Sequence, residues 1–533
     1  MADPNYLLNQ SPEDQNYYTE GLPVHSEYSA YIPRWQYLIR SYLGGVQYKM
    51  GKYLTRYVYE TEGEFQSRLR QTPLDNHVKS IIHIYNSFLY RNEPKRDLGN
   101  LQGSPEVENF LKDADMEGRS WQSFMRDVNI MSSVYGHCCV LIDRPETTVG
   151  TRAEELEQGI RPYATLYTPE NIIDWHWERL PSGHYELQYV KFLEQDIRTN
   201  RKSAAYHIRT WTKDMIYLES FDSKKKQPLE LIEQKVNPLG VIPAVWVYAN
   251  RSPIRGIGVS DIGDIADNQN FLFSLYSEAE QLIRLTNHPT LVKDRETEAS
   301  AGAGAIITLS DTVTAETKPY LLQPNGSNLD AILKTIDETI KNIDRQAHLG
   351  AIRAIETRQM SGVAMMSEFL MLDAKLCEKA KNLELAEEQI FRLFSLWQGQ
   401  AWDGSIKYPM AFHIRDKNLD IDILKKAAET QRDSATATPN VKAIIDQKLI
   451  EILARDEDEM EEMQNQLADN GTHSEMTDPA GMIQHMRDMI EKDKLTNEEI
   501  MELHPEIANF FTNTGAANGQ TETGPQGQEN GTT

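Results

Sequence analysis

The stretch Leu329-Asp330-Ala331-Ile332-Leu333-Lys334-Thr335-Ile336-Asp337-Glu338-Thr339-Ile340-Lys341-Asn342-Ile343-Asp344-Arg345-Gln346-Ala347-His348-Leu349 decides how this chain is read. Its apolar stripe, Leu329, Ile332, Leu333, Ile336, Ile340, Ile343 and Ala347, follows the 3.6-residue turn. An amphipathic helix about 30 Å long is predicted. Upstream, Ile262, Ile265, Leu272, Tyr276, Ala279 and Ile283 recur at a similar spacing and predict a second helix. Ser260 or Asp261 can cap its N-terminus. It should end near Asn287, because His288 precedes Pro289 and a residue before proline avoids the α region. Between the helices lie two strand-prone runs, Thr290-Leu291-Val292 and Ala305-Ile306-Ile307-Thr308-Leu309, with a turn at Pro324-Asn325-Gly326. Two helices of similar length returning side by side make a stalk that carries a small β unit at its tip.

Outward from the stalk the pattern is mixed. Residues 1–30 are polar and rich in Tyr and Pro, and read as an extended arm. Leu74 to Tyr90 carries apolar residues at 74, 78, 81, 82, 85, 88 and 89, a helical stripe closed by Pro94, and a further helix is expected over 106–134. From about 138 to 250 the period changes to short β-prone runs, among them Val140-Leu141-Ile142, Tyr163–Tyr167, Tyr185–Val190, Tyr206–Trp211, Met215–Glu219 and Ala244–Tyr248. Past the stalk, Ser361 is a candidate N-cap for a long helix reaching about Gln398, followed by a short strand, Met410–Ile414. Residues 421–512 return to helices, and 513–533, rich in Thr, Gly, Asn and Gln, read as disordered. The fold class is α+β, mainly helical.

Composition narrows the function. The 533 residues are 40% hydrophobic and 25% charged, as in folded globular proteins. No run approaches the roughly 18 apolar residues of a membrane span, and Met1-Ala2-Asp3-Pro4-Asn5 does not begin a signal peptide. A cytoplasm-like compartment is the expectation. Adjacent Cys138 and Cys139 would point to opposite faces of a strand, so neither a disulfide between them nor a shared metal is expected. The formal net charge of −25 argues against gripping nucleic acid through clustered cations. It is compatible with DNA sliding past without adhesion, and equally with ordinary solubility.

Catalytic signatures are missing. There is no phosphate loop of the G-x-x-x-x-G-K-[ST] type, no H-E-x-x-H and no paired C-x-x-C; the Gly256–Gly263 segment has the wrong glycine spacing for a dinucleotide site. His137-Cys138-Cys139 is a weak metal candidate, since consecutive strand residues diverge. The expectation is a non-enzymatic protein with no catalytic residue, no metal and no cofactor. The residues that invite a functional reading are cations. Lys334, Lys341 and Arg345 lie off the apolar stripe, with Lys334 and Lys341 seven residues apart on nearly one line. They read either as weak stations for passing phosphates or as a solvated face with pairs such as Asp337–Lys341. The segment 350–361 sets Arg353 and Arg358, with Glu356 and Gln359, among small and aliphatic residues: a DNA-facing loop or a plain connection.

The order of these parts resembles the portal (head–tail connector) family of tailed bacteriophages. Arg161-Pro162-Tyr163 with Tyr167-Thr168-Pro169-Glu170-Asn171-Ile172-Ile173-Asp174-Trp175, then Leu239-Gly240-Val241-Ile242-Pro243 with Gly258-Val259-Ser260-Asp261-Ile262, and finally Ser361-Gly362-Val363-Ala364, are similar to segments of one large portal group. The likeness covers roughly 35–430, and its weight lies in the ordered set. It implies an arm at 1–34, a wing at 35–258 completed by 362–420, stem helices at 259–287 and 328–349, a clip at 288–327, a tunnel loop at 350–361, a crown at 421–512 and a tail at 513–533. It implies a dodecameric ring at a unique capsid vertex of the virion, assembled in the host cytoplasm. Through it double-stranded DNA is packaged and ejected; the terminase large subunit, then head-completion or adaptor proteins, dock at the clip, and major capsid or scaffold protein surrounds it, with no membrane involved. Lys334, Lys341 and Arg345 would face the channel, and Arg353, Glu356, Arg358 and Gln359 would line the tunnel loop. The competing reading is a head scaffold or minor capsid protein that never encloses DNA.

Overall fold

The computed structural model describes residues 22–145, 154–155, 158–195, 205–222, 230–287, 290–292, 320–322, 327–350, 362–410 and 412. The chain forms two compact units, 1–413 and 414–533, and all described residues belong to the first. The expected crown at 421–512 and tail at 513–533, and nearly all of the tunnel loop and clip, lie outside the described residues.

The unit is α+β. Its first helix, α1 (Ser26–Leu43), begins inside the segment expected to be an extended arm. Tyr28, Trp35 and Leu38 are buried on it, so the helical period is carried by aromatics that composition registers as polar-and-Tyr-rich sequence. His25 caps it by accepting from the Glu27 amide and stacks on Trp175 at 4.3 Å. After α2 (Gly45–Met50) and α3 (Glu62–Gln71), α4 (His77–Leu89) buries Val78, Ile81, Ile82, Tyr85 and Leu89, with Asn76 capping through the Lys79 amide. The helix expected over 106–134 is two helices, α5 (Pro105–Lys112) and α6 (Trp121–Tyr135). Asp115 accepts from the Glu117 amide and Gly118 adopts φ +91°, turning the chain before Ser120 caps α6.

Two antiparallel sheets follow. In the first, β2 (His137–Asp143) lies between β3 (Tyr163–Tyr167) and β9 (Ala244–Tyr248). A central strand packed against helices has no solvated face, which is why Cys138 and Cys139 are both fully buried despite pointing in opposite directions. The second is a five-strand meander of β4 (Ile172–Arg179), β5 (Tyr185–Gln195), β6 (Ala205–Thr212), β7 (Met215–Asp222) and β8 (Glu230–Val236). A short ladder, β10 (Asn250–Arg251) with β11 (Gly258–Val259), leads into the stalk.

The stalk helices are α7 (Gly263–Asn287) and α8 (Ser327–Gln346), packed against each other. At 25 and 20 residues they run about 37 and 30 Å. The strands leaving one and entering the other, β12 (Thr290–Val292) and β13 (Tyr320–Leu322), pair antiparallel, Thr290 opposite Leu322. The long helix α9 (Gly362–Trp397) then packs on β9, β2 and α4. Of the short strand expected at Met410–Ile414, Met410 lies in a bend and Phe412 in no strand, and the rest lies outside the described residues; just before it β14 (Ser405–Lys407) pairs with β1 (Lys95–Asp97). Arg96 of β1 reaches the buried Glu387 of α9, and Tyr408 donates to the same carboxylate at 2.7 Å, fixing where that strand sits.

Candidate functional site

The stalk is anchored at its root by a buried ion pair. Neither expected cap reaches the first-turn amides of a helix that starts at Gly263: Ser260 braces the approach, its Oγ accepting from the Ile262 amide at 3.1 Å and donating to the Val134 carbonyl at 2.6 Å. Asp261, the other candidate cap, turns inward. Its carboxylate is fully buried and accepts from Lys379 Nζ at 2.5 Å and from Asn250 Nδ2 at 3.0 Å, with Lys375 Nζ at 3.8 Å. Lys379, itself 2% exposed, also donates to Ser133 Oγ at 2.8 Å. Burial would raise the Asp261 carboxyl; Lys379 and Lys375 outweigh it and hold the group below its ordinary value. The entry to α7, α6 and α9 are thereby tied through one cluster.

Beside it two backbones touch. Gly136, at φ +95°, ends α6, and a Cβ on Gly258 would lie 2.1 Å from the Gly136 carbonyl oxygen. The Gly258 amide donates to Nδ1 of the fully buried His137, whose imidazole burial pushes down to about 3. Only glycine permits this approach.

Further along, α7 is sewn into the body by polar groups inside its own apolar face. Gln269 accepts from the Val78 amide at 2.9 Å, one of the otherwise unpaired donors at the start of α4, and donates to the Ser41 carbonyl at 3.1 Å. Ser277 accepts from Arg68, which is 2% exposed and paired with Glu60 at 2.7 Å. The Arg34 guanidinium holds Asp267 at 2.7 Å.

The second helix differs. On α8 only Ile336, Thr339 and Ile343 are fully covered. Leu333, expected in the buried stripe, is 47% exposed. Lys334, Lys341 and Arg345 are exposed along one line, as are Asp337 and Glu338. Arg345 donates to Asn342 at 3.3 Å, and among the described residues no ion pair joins Asp337 to Lys341. Arg353, Glu356, Arg358 and Gln359 lie outside the described residues, so nothing places them beside this line. Sequence reasoning missed Lys379 and Gln269 entirely. The available signal was a lysine and a glutamine standing within otherwise apolar helical stripes.

Among the described residues no group of His, Cys, Asp or Glu could hold a metal ion, and no helix is long and apolar enough to cross a membrane. No family model matches the chain, and no curated protein does. Solved structures are similar, among them two from gene transfer agent particles. One is described as the neck of an empty gene transfer agent particle computed with C6 symmetry, at 8% identity and TM-score 0.40, covering 74% of this chain and 96% of that one. The other is described as the virion of a native gene transfer agent particle, at 9% identity and TM-score 0.35, covering 76% and 98%. Likenesses of this size carry no functional argument.

Proposed function

We propose that this chain is a portal-type ring subunit of a phage-like particle: a non-enzymatic protein that repeats around an axis to enclose a channel for double-stranded DNA. The observation that carries the reading is the stalk. Two helices pack together, one strand from each pairs at their far end, and the pair is rooted in an α+β body by a buried ion pair. A compact monomer gains little from carrying the ends of the pair outward, where Ile283, Leu285 and Leu333 stand about half exposed. A ring gains a wall.

In this reading α8 presents Lys334, Lys341 and Arg345 to the channel as sparse cations within a chain of net charge −25. Sparse cations attract phosphate weakly at short range, while the acidic surroundings repel it within a Debye length of about 8 Å. DNA would pass without being held. Residues 288–327 would offer the docking surface for terminase and later for adaptor proteins, and the loop 350–361 would touch DNA through Arg353 and Arg358.

Electron microscopy of the purified full chain tests the reading: a perforated ring viewed down its axis supports it, and a solid or monomeric particle removes it. Within an assembled ring, the Arg353→Ala/Arg358→Ala double variant is expected to leave assembly intact and lower packaged DNA. Unchanged packaging would remove the role given to the loop.

A further inference from the structure

Two copies of a chain of net charge −25 repel each other. A face through which copies meet must therefore be largely apolar or carry local positive charge. Besides the line on α8, the described residues contain a surface of the second kind on the body. Arg255 lies over the Tyr185 ring at 3.6 Å and Arg179 approaches the same ring at 5.9 Å. Arg251 lies over Tyr248 at 5.4 Å; burial raises the Tyr248 phenol, and Arg251 and Arg255 both lie close enough to oppose that shift. The three arginines are exposed and form one continuous band over two tyrosines. None has a carboxylate partner among the described residues, although acidic residues outnumber basic ones 80 to 55 in the sequence.

Three further features mark the band as a contact. Ile254 is 37% exposed between the arginines, and Leu385 is 50% exposed beside them. Leu385 lines a small cleft between α9 and β9 together with Trp246, Tyr248, Arg251, Asn382 and Gln389. Trp246 is 8% exposed, yet its indole N–H has no acceptor. Arginine, tyrosine and tryptophan around an apolar anchor is the composition that dominates protein–protein binding energy. The Tyr185 face is already occupied by Arg255, which leaves it poorly placed to stack a nucleic-acid base.

We infer that the band Arg179–Tyr185–Arg251–Arg255, with the Trp246 cleft, is the face on which a second copy of this chain docks through a carboxylate-bearing surface. The inference rests on the ring reading, since a head-to-tail ring needs two different, complementary faces on each copy. It names one of them.

The test compares the full-length protein with R179E/R251E/R255E and with K79E/K112E/K407E, a control that changes net charge equally at exposed lysines elsewhere. Sedimentation velocity over a concentration series reads assembly, and thermal melting checks folding. The expected result is that the wild type and the lysine control assemble alike. The arginine variant should melt normally and need about tenfold or more higher concentration to assemble. If it melts early, R179Q/R251Q/R255Q replaces it, with a smaller shift in the same direction. Assembly of the arginine variant at wild-type concentration overturns the inference and leaves the ring reading standing. A wild type that stays monomeric at every concentration overturns both. Normal assembly with lost binding of a short DNA duplex assigns the band to nucleic acid and overturns the inference.

Discussion

The two stalk helices have similar lengths and opposite attachments. Along α7, polar side chains are turned into the body and satisfied there: Gln269 by two backbone groups, Ser277 by Arg68, and Asp261 just before the helix by Lys379. Along α8, attachment is an apolar stripe with one polar tie, Gln346 accepting from Asn268 at 2.9 Å, and Lys334, Asp337, Glu338, Lys341 and Arg345 face outward. The difference separates a helix that holds position from a helix that presents a surface. Substitutions should therefore cost stability at the root of α7 and leave it almost untouched on the exposed face of α8.

The largest effect is expected at the root. Lys379→Met leaves Asp261 buried with only Asn250 and the more distant Lys375. Removing one partner of a buried pair typically costs about 3–5 kcal/mol, whereas replacing both can be nearly neutral. Denaturant midpoints should show the single variant strongly destabilised and Asp261→Asn/Lys379→Met partly restored. A single variant within about 0.5 kcal/mol of wild type would show that the cluster does not anchor the stalk.

Next is Gly258→Ala. The added Cβ would meet the Gly136 carbonyl oxygen at 2.1 Å, and a backbone atom cannot swing away as a side-chain end can. About 1–3 kcal/mol of destabilisation is expected. Gly263→Ala, whose Cβ would meet nothing closer than the Arg34 guanidinium at 3.8 Å, serves as the neutral comparison.

The stalk was legible in the sequence because its signal is local. The stripe of Leu329 to Ala347 and the Pro289 stop follow from neighbours within a few turns, and the observed helices, Gly263–Asn287 and Ser327–Gln346, differ by a few residues at their ends. Its anchorage was not legible. Asp261 and Lys379 are 118 residues apart, and Gln269 meets Val78 across 191; no periodicity reports such distances. Ser260 and Asp261 have the chemistry of helix caps, but Ser260 turns back on the Ile262 amide and the end of α6 while Asp261 enters the core. The start of α1 escaped because Tyr28, which shares a buried stripe with Trp35, lies in the Tyr- and Pro-rich stretch read as an arm ending before Trp35. Strand β8, Glu230–Val236, carries no alternation because its ladder partner β7 holds it at a sheet edge with little burial. Of the candidate site, the line Lys334–Lys341–Arg345 was readable from spacing alone, whereas Leu333 was expected inside and lies half exposed.

A pH titration sharpens the same contrast. His137 is neutral in the fold down to about pH 3, whereas an unfolded histidine protonates near 6.5. Between those values the unfolded chain binds a proton that the folded chain does not. The contribution is thus fully present above pH 6.5 and is lost as pH falls, by about 1.4 kcal/mol per unit. His137→Asn, which can keep an acceptor for the Gly258 amide, should make the acid slope shallower by one proton. An unchanged slope would mean that the His137 site is open to water.

The smallest effect on stability is expected on α8, and there the functional prediction is sharpest. Lys334 and Lys341 are exposed, and no ion pair among the described residues depends on them. Lys334→Glu/Lys341→Glu should change stability by no more than about 0.5 kcal/mol. If the line faces a channel, reversing two charges on every copy leaves Arg345 as the remaining cation of the line and deepens the wall's repulsion of phosphate. Particles built with the variant should then contain intact rings and less packaged DNA. If the line is merely a solvated face, DNA content will equal that of wild type. The two readings differ in no stability measurement, so packaged DNA per particle is the quantity that separates a helix presenting a surface to DNA from one that only meets water.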